Sequence, residues 1–271
     1  MTEPRAVLPP DVVVCCDLDG VVWRGETPIA GSADAVAQLR AAGRRVVFTT
    51  NNSSIPVGGY VERLAKFGIP TVADDVCTSA QAAAALVASK LAPGATVLAY
   101  AGPGVVEALV ASGLRVVSAG EVDAVVVGFH RDFDFDGLTA AADAARGSAL
   151  FVATNLDPTY PIDGGLVPGA GALAAAVATA AGRAPEVAGK PERPMADLVR
   201  ARVGSEGVVI GDRPSTDGAF AAALGWPFAL VLSGVAGAGG EEDVPDPPPP
   251  YVAEDLARLA PLILESVAGH C

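Results

Sequence analysis

Short apolar runs alternate along the chain with Ala-rich stretches in which apolar residues recur at helical spacing. The runs are rich in β-branched residues and too short for helices, so they predict buried strands. The predicted strands lie at residues 12–16, 45–49, 97–100, 114–117, 124–128, 150–153, 208–210 and 228–232. The predicted helices lie at residues 32–42, 56–68, 80–90, 104–111, 136–146, 171–181, 194–203, 215–224 and 253–264. Alternation of strand and helix predicts an α/β fold with parallel sheets and helices on both faces.

Local signals mark where some of these elements begin and end. Ser32 and Ser79 are predicted N-caps of the helices that follow them, and Gly43 is a predicted C-terminal stop. The segment at residues 236–250 is rich in Gly, acidic residues and Pro. It is predicted to be an exposed loop that serves as a spacer.

Composition narrows the classes of protein and of partner. The 271 residues suffice for one large domain or two smaller ones, and 51% of them are hydrophobic, which favours a substantial core. The net charge of −13 disfavours nucleic acid and anionic membrane surfaces as partners. No apolar run reaches membrane-spanning length without Gly or a charge, and the N-terminus shows no signal-peptide pattern.

Cysteine and histidine usage indicates which chemistries to expect. The four Cys residues include the adjacent pair Cys15 and Cys16, and no Cys-x-x-Cys pair is present. This usage predicts reduced thiols in a cytoplasmic protein and no zinc site. The only histidines are His130 and His270, so histidine-dependent catalysis is not expected.

Asp17 and Asp19 follow the first predicted strand directly. Residues i and i+2 of an extended chain point to the same side, so the two carboxylates would repel each other and be costly to desolvate. A hard divalent cation such as Mg²⁺, which binds through oxygen ligands, would resolve that repulsion. A plain turn is the alternative, because Asp and Gly are common turn residues.

Four loops at the ends of predicted strands carry polar residues of complementary types. They lie at residues 17–21, 50–53, 189–192 and 211–217. Parallel α/β sheets place ligands at the carboxyl ends of their strands, so these loops are candidates for one crevice. Carboxylates would hold a cation, while lysine and backbone N–H groups would hold phosphate oxygens. A carboxylate can also attack phosphorus to form an aspartyl-phosphate.

The same loops match, in order, the four motifs of the haloacid dehalogenase-like hydrolases. The chain most resembles the 4-nitrophenylphosphatase/NagD-like subfamily, which includes glycerol-3-phosphate and phosphoglycolate phosphatases. The resemblance spans nearly the whole chain. The matching words are DLDGVVW at 17–23, TNNS at 50–53, TSA at 78–80, TNLDP at 154–158, GKP at 189–191 and GDR at 211–213 with TD at 216–217.

This resemblance implies roles residue by residue. Asp17 matches the nucleophile, and Asp19 matches the general acid that protonates the leaving alcohol and later deprotonates water. Thr50 and Asn51 match the motif that binds the transferring phosphoryl group. Lys190 matches the lysine that neutralises the nucleophile and the phosphate.

The resemblance also implies a Mg²⁺ site. Asp212 matches a metal ligand, together with Asp17 and the backbone carbonyl of Asp19, and Asp217 matches an acidic position that supports the site through water or a hydrogen bond. The segment that matches the phosphate-contacting residues of related enzymes comprises Arg213, Pro214, Ser215 and Thr216. The roles of Asn155 and Asp157 stay open: they could face the substrate, form a turn or make a domain contact.

The family resemblance implies a Rossmann-like core at residues 1–80 and 186–271, with a smaller α/β cap inserted at 81–185. Such a cap admits small phosphomonoesters, of which glycerol 3-phosphate and 2-phosphoglycolate lead. Nucleotide monophosphates, pyridoxal phosphate and a phosphotransferase activity are the alternatives. Homodimer formation through the cap is also consistent with the family.

Overall fold

A computed structural model of the chain describes residues 8, 12–162, 165–236 and 242–268. The strands are β1 Val13–Asp17, β2 Trp23–Arg24, β3 Thr27–Pro28, β4 Val46–Thr50, β5 Val76–Thr78, β6 Thr96–Tyr100, β7 Arg115–Val117, β8 Ala124–Val127, β9 Leu150–Ala153, β10 Thr159–Ile162, β11 Gly165–Pro168, β12 Glu186–Val187, β13 Gly207–Gly211, β14 Phe228–Val231 and β15 Tyr251–Ala253. The helices are α1 Ser32–Ala41, α2 Val57–Lys66, α3 Ser79–Lys90, α4 Pro103–Ala111, α5 Phe135–Arg146, α6 Ala170–Ala181, α7 Arg193–Val203, α8 Ala219–Leu224 and α9 Leu256–Ala268.

The chain forms two compact units. The first comprises Met1–Thr49, Val61–Val76 and Val199–Cys271, and the second comprises Thr50–Tyr60 and Cys77–Leu198. Most of the second unit therefore lies, along the chain, between segments of the first.

A parallel sheet is the framework of the first unit. Within the described residues its order is β15-β14-β13-β1-β4-β5. β1 pairs in parallel with β13 and β4, and the register sets Cys16 opposite Ile210. Every residue of these three strands is buried, as expected for apolar strands covered on both faces. The carboxyl ends of β1 and β13 thus meet at one edge of the sheet, where their loops begin.

The second unit has its own parallel sheet, ordered β12-β9-β8-β6-β7 in the part that the structure describes. Its core packs the apolar side of the sheet against α5 and α6, with Phe151 and Val177 among the fully buried side chains. An antiparallel hairpin of β10 and β11 completes it. The predicted parallel α/β class is confirmed.

Helix boundaries differ in detail from the predicted caps. The N-cap of α1 is Gly31, in the left-handed region, and Ser32 is the first helical residue, so the prediction for Ser32 was wrong. The Ser32 hydroxyl instead donates to the carbonyl of Val21. The prediction for Ser79 missed by one residue, because Thr78 caps α3 through a capping box with Gln81. Gly43, at φ +80°, ends α1 as predicted.

The remaining predictions concern the loop, the thiols and membranes. Residues 237–241 of the predicted spacer lie outside the described residues, as do His270 and Cys271, whereas residues 243–248 are exposed as predicted. The Cys15 and Cys16 side chains are buried, and their sulfur atoms donate to Thr49 Oγ1 and to the carbonyl of Asp17. Among the described residues, no helix combines the length and apolarity that crossing a membrane requires.

Candidate active site

Three buried carboxylates lie together at the carboxyl edge of the first unit's sheet. Asp17 is the last residue of β1, while Asp212 and Asp217 follow β13. One ligand oxygen from each lies within 4.8 Å of the others, and the three residues are 6%, 5% and 2% exposed. Ionised carboxylates this close repel one another and lose hydration, so the arrangement favours a bound cation. Buried oxygen donors of this kind fit Mg²⁺, a hard cation that takes carboxylate ligands.

The backbone packs closely around Asp212 and fixes its carboxylate. The N–H of Val235 donates to Asp212 Oδ2 over 2.8 Å. A Cβ atom on Gly234 would lie 1.7 Å from the same oxygen, and one on Gly20 would lie 2.3 Å from it. Gly20 also has φ +83°, so glycine is required there on both counts. The Ser233 hydroxyl donates to the carbonyl of Gly20 over 2.7 Å. This bond joins the two segments that pack against Asp212, one containing Gly20 and the other containing Gly234.

Asp19 accepts a hydrogen bond from a buried aromatic side chain. Its Oδ1 accepts a hydrogen bond from the indole N–H of Trp23 over 2.9 Å. Asp19 is only partly buried, whereas Trp23 is fully buried and contacts the guanidinium of Arg63 through its ring. A rigid indole thus orients the carboxyl group that the sequence assigns to acid–base chemistry.

The loop after β13 folds back on itself and returns Asp217 to the cluster. The Arg213 carbonyl accepts from the N–H groups of Thr216 and Asp217 over 3.1 and 2.7 Å. The Arg213 N–H in turn donates to Asp217 Oδ2 over 3.2 Å. The Gly218 N–H also donates to the Arg213 carbonyl over 3.4 Å, and this i→i+5 bond closes a π-helical turn at Pro214–Gly218. The turn brings Asp217 next to Asp212.

Glu242, within the predicted spacer, supports this turn by hydrogen bonds and an ion pair. Its carboxylate accepts from the backbone N–H of Ser215 over 2.9 Å and also from the Ser215 hydroxyl. It lies 3.7 Å from a guanidinium nitrogen of Arg213. The N–H of Glu242 donates to the carbonyl of Val235, the residue that bonds Asp212. Residues 213–215 and Glu242 therefore support each other.

The predicted phosphate-binding residues Thr50, Asn51 and Lys190 belong to the second unit. The Thr50 hydroxyl oxygen accepts from the Asn52 N–H over 3.0 Å, which leaves its own proton to donate. The Asn51 amide brackets the Lys190 backbone: Oδ1 accepts from its N–H over 2.8 Å and Nδ2 donates to its carbonyl over 3.0 Å. The Ser79 hydroxyl donates to the Asn51 carbonyl over 2.6 Å. Asn51 thus fixes the loop that carries the buried Lys190 side chain.

Comparisons with known proteins bear on this geometry. A haloacid dehalogenase-like hydrolase family model matches residues 14–115, and a HAD-hydrolase-like model matches residues 187–259. The D-glycerol 3-phosphate phosphatase of Mycobacterium tuberculosis is 40% identical over 247 residues, covering 90% of this chain and 69% of that protein. The glycerol-3-phosphate phosphatase of Gallus gallus is 33% identical, with coverage of 96% and 94%. The chain belongs to the haloacid dehalogenase-like hydrolases.

Solved structures of haloacid dehalogenase-like hydrolases agree with this assignment. The crystal structure of glycerol phosphate phosphatase from Mycobacterium tuberculosis in complex with magnesium matches with a TM-score of 0.83 and 39% identity. The match covers 92% of this chain and 77% of that one. The family membership and the enzyme class predicted from the motifs are thereby confirmed.

Within the haloacid dehalogenase-like motifs, the predicted residues fall into two groups. Asp17, Asp212 and Asp217 form one cluster in the first unit, and Asn51 contacts Lys190 in the second. Sequence reasoning did not identify the residues that support these groups, namely Ser79, Ser233, Gly234, Val235 and Glu242. Of these residues, only Ser79 was marked by the sequence, because it lies in the TSA segment at 78–80 on which the family resemblance rests.

Proposed function

We propose that this hydrolase is a Mg²⁺-dependent phosphatase of small phosphomonoesters, with glycerol 3-phosphate as the leading substrate. The observation that carries the proposal is the buried cluster of Asp17, Asp212 and Asp217. The choice of substrate is supported by the two glycerol-3-phosphate phosphatases that this chain resembles over most of its length. 2-Phosphoglycolate is the second candidate.

Asp17 is the proposed nucleophile. Its carboxylate oxygen attacks phosphorus, so a bond forms between Asp17 and the phosphoryl group while the bond to the ester oxygen breaks. Asp19 gives its proton to the departing alkoxide and releases the alcohol. Water then attacks the phosphorus of the aspartyl-phosphate, Asp19 takes the proton of that water, and inorganic phosphate leaves with Asp17 regenerated. The Trp23 indole keeps Asp19 oriented through both steps.

Asp17, Asp212 and the carbonyl of Asp19 would hold Mg²⁺, and Asp217 would support the site. When bound, Mg²⁺ supplies positive charge that offsets the negative charge of the phosphoryl group and of Asp17. Lys190, from the second unit, contributes a second positive charge to the phosphoryl group. The Thr50 hydroxyl donates a hydrogen bond to a phosphoryl oxygen. The roles of Arg213, Pro214, Ser215 and Thr216 in phosphate contact are proposed from the family motif.

The division into a core at 1–80 and 186–271 and a cap at 81–185 is proposed from the same resemblance. Small substrates are proposed on the same resemblance, and the net charge of −13 disfavours nucleic acid as a partner. A cytoplasmic location is proposed on the buried, free thiols of Cys15 and Cys16. The absence of a membrane partner is proposed on the net charge of −13, which disfavours anionic membrane surfaces.

Homodimer formation through the cap is proposed on the apolar surface of the second unit. Phe133, Phe135 and Leu166 are 41%, 79% and 52% exposed. Phe133 also lines an apolar cavity of about 650 Å³ beside β11 and α6. Large apolar patches on a protein surface are typical of protein interfaces, and these exposed side chains are the candidates for one. Sedimentation analysis of the wild type and of Phe135→Ser tests the proposal, which a monomeric wild type would contradict.

The test of function is phosphate release by the purified protein from a panel of phosphomonoesters, with Mg²⁺ and with EDTA. The panel contains glycerol 3-phosphate, 2-phosphoglycolate, a nucleoside monophosphate and pyridoxal phosphate. We expect Mg²⁺-dependent release with glycerol 3-phosphate preferred. If another phosphomonoester is hydrolysed faster, that compound replaces glycerol 3-phosphate as the substrate. If phosphate is transferred to an added alcohol instead of to water, the reaction is phosphotransfer. Release that EDTA leaves unchanged contradicts the metal role.

A further inference from the structure

Asp157, in the loop before β10, lies at the centre of a network of side-chain amides. Its Oδ2 accepts from Asn51 Nδ2 and from Asn155 Nδ2, each over 2.8 Å. The sequence separation of 106 residues between Asp157 and Asn51 makes the first of these a long-range contact. A carboxylate that accepts from two amides is oriented by both, because an ionised Asp only accepts hydrogen bonds.

Three hydrogen bonds engage the Asn51 side-chain amide. One Nδ2 proton goes to Asp157 and the other to the Lys190 carbonyl, while Oδ1 accepts from the Lys190 N–H. The amide cannot be turned over without placing Oδ1 against a carboxylate and a carbonyl, so the network itself fixes its orientation. A Cβ atom on Gly189 would lie 2.6 Å from Asn51 Oδ1, which shows how closely the Lys190 loop approaches this amide.

We infer that Asp157 is a positioning residue that acts through Asn51 on Lys190. Asp157 sets the orientation of the Asn51 amide, and that amide holds both polar groups of the Lys190 backbone. The Lys190 side chain, 4% exposed, therefore projects from a peptide unit with a fixed orientation. The functional part of this inference rests on the proposed phosphatase activity, in which Lys190 offsets charge on the phosphoryl group.

This role predicts which kinetic parameter changes. Charge stabilisation by Lys190 is greatest in the transition state, so its misplacement lowers kcat more than it raises KM. The loss is also the same for every leaving group, because Lys190 acts on the phosphoryl group that all the substrates share. A residue that instead contacted the glycerol group would change KM for glycerol 3-phosphate alone.

The test compares Asp157→Ala, Asn51→Ala and the double variant with the wild type, using glycerol 3-phosphate and p-nitrophenyl phosphate. We expect Asp157→Ala to lower kcat roughly tenfold with both substrates. The double variant should lose no more than the larger single loss, because Asp157 acts on Lys190 only through Asn51. Additive losses, or a loss confined to glycerol 3-phosphate, would overturn the inference.

A second readout does not depend on activity. Loss of the Asn51 amide orientation should speed hydrogen exchange at the Lys190 N–H, measured on a peptide that covers residues 186–193. Exchange that stays as slow in Asp157→Ala as in the wild type would overturn the inference, whether or not the protein releases phosphate. A wild type with no phosphatase activity overturns the proposed function alone.

Two further variants serve as a matched control and as a replacement in case Asp157→Ala does not fold. Asp143→Ala, which removes an exposed carboxylate paired with Arg146 in the same unit, is the matched control and should leave kcat and exchange unchanged. If Asp157→Ala fails to fold, Asp157→Asn keeps an acceptor oxygen but loses the charge, and it should show the same two effects at smaller size. Wild-type kcat and wild-type exchange in Asp157→Asn would then overturn the inference.

Discussion

The backbone N–H of Val235 lies 2.8 Å from Asp212 Oδ2 and donates a hydrogen bond to it. Val235 is close to the end of β14 and Asp212 follows β13, the neighbouring parallel strand. The segments that follow two adjacent strands thus supply the proposed metal ligand and the donor that orients it. Orientation by an outer hydrogen bond is a general requirement of metal ligands.

Gly234→Ala should displace Asp212, because the added methyl group would lie 1.7 Å from Asp212 Oδ2. We expect the concentration of Mg²⁺ that supports half-maximal activity to rise about 10- to 100-fold. Gly58→Ala is the matched control, since no atom lies within 4 Å of the added methyl group. An unchanged Mg²⁺ titration in Gly234→Ala would show that close packing by Gly234 does not set the position of Asp212.

Asp212→Asn should weaken Mg²⁺ binding at least about tenfold, because the amide removes one negative charge from the donor set. Calorimetric titration with Mg²⁺ measures this directly, and Asp255→Asn, remote in sequence from the three-carboxylate cluster, is the control. Equal Mg²⁺ affinities of Asp212→Asn and wild type would remove Asp212 from the metal site.

Glu242→Ala should loosen the turn at Pro214–Gly218, because Ser215 loses the acceptor for both its N–H and its hydroxyl. Hydrogen bonds to a charged group at a partly buried site make a loss of about 1 kcal/mol in the free energy of unfolding reasonable. Urea denaturation measures it, with the exposed Glu254→Ala as the control. Identical denaturation midpoints for Glu242→Ala and wild type would mean that these contacts of Glu242 contribute nothing to stability.

Asp123 gives the second unit a pH-dependent contribution to stability. Hydrogen bonds from Thr96 lower the pKa of Asp123 below its usual value, the one from the backbone N–H more than the one from the hydroxyl. A lowered pKa in the folded state stabilises the fold above the unfolded pKa of about 3.9, and this contribution is lost as the pH falls through the folded value. The melting temperature of the wild type should therefore fall more than that of Asp123→Asn between pH 6 and pH 3. Parallel declines would contradict the assignment.

The strands were predictable wherever an apolar run was continuous. β9 lies at the predicted residues, and β1 is shifted by one residue from its prediction. The hairpin of β10 and β11 was missed because Pro161 and Gly165 interrupt the strand signal. The helix predicted to begin at residue 215 is α-helical only from Ala219, because residues 214–218 form a π-helical turn closed by the Gly218 N–H and the Arg213 carbonyl.

The carboxylate cluster was predictable from the sequence, but the contacts that support it were not. Asp17, Asp212 and Asp217, which the structure brings together, lie in the motifs on which the family resemblance rests. Their neighbours Gly234 and Val235 carry no such pattern, because their function depends on a contact across 23 residues that only the folded sheet creates. The same holds for Glu242, which the sequence places in a low-complexity spacer.

The central claim is that Asp17 is the nucleophile of a phosphatase, and Asp17→Asn tests it most directly. The measurement is phosphate release from glycerol 3-phosphate at saturating Mg²⁺, beside the wild type and with the melting temperature as a check on folding. An amide nitrogen cannot attack phosphorus, so we predict a loss of roughly a thousandfold or more in kcat with the fold intact. A folded Asp17→Asn protein that retains a substantial fraction of wild-type kcat would contradict the account and place the nucleophile elsewhere.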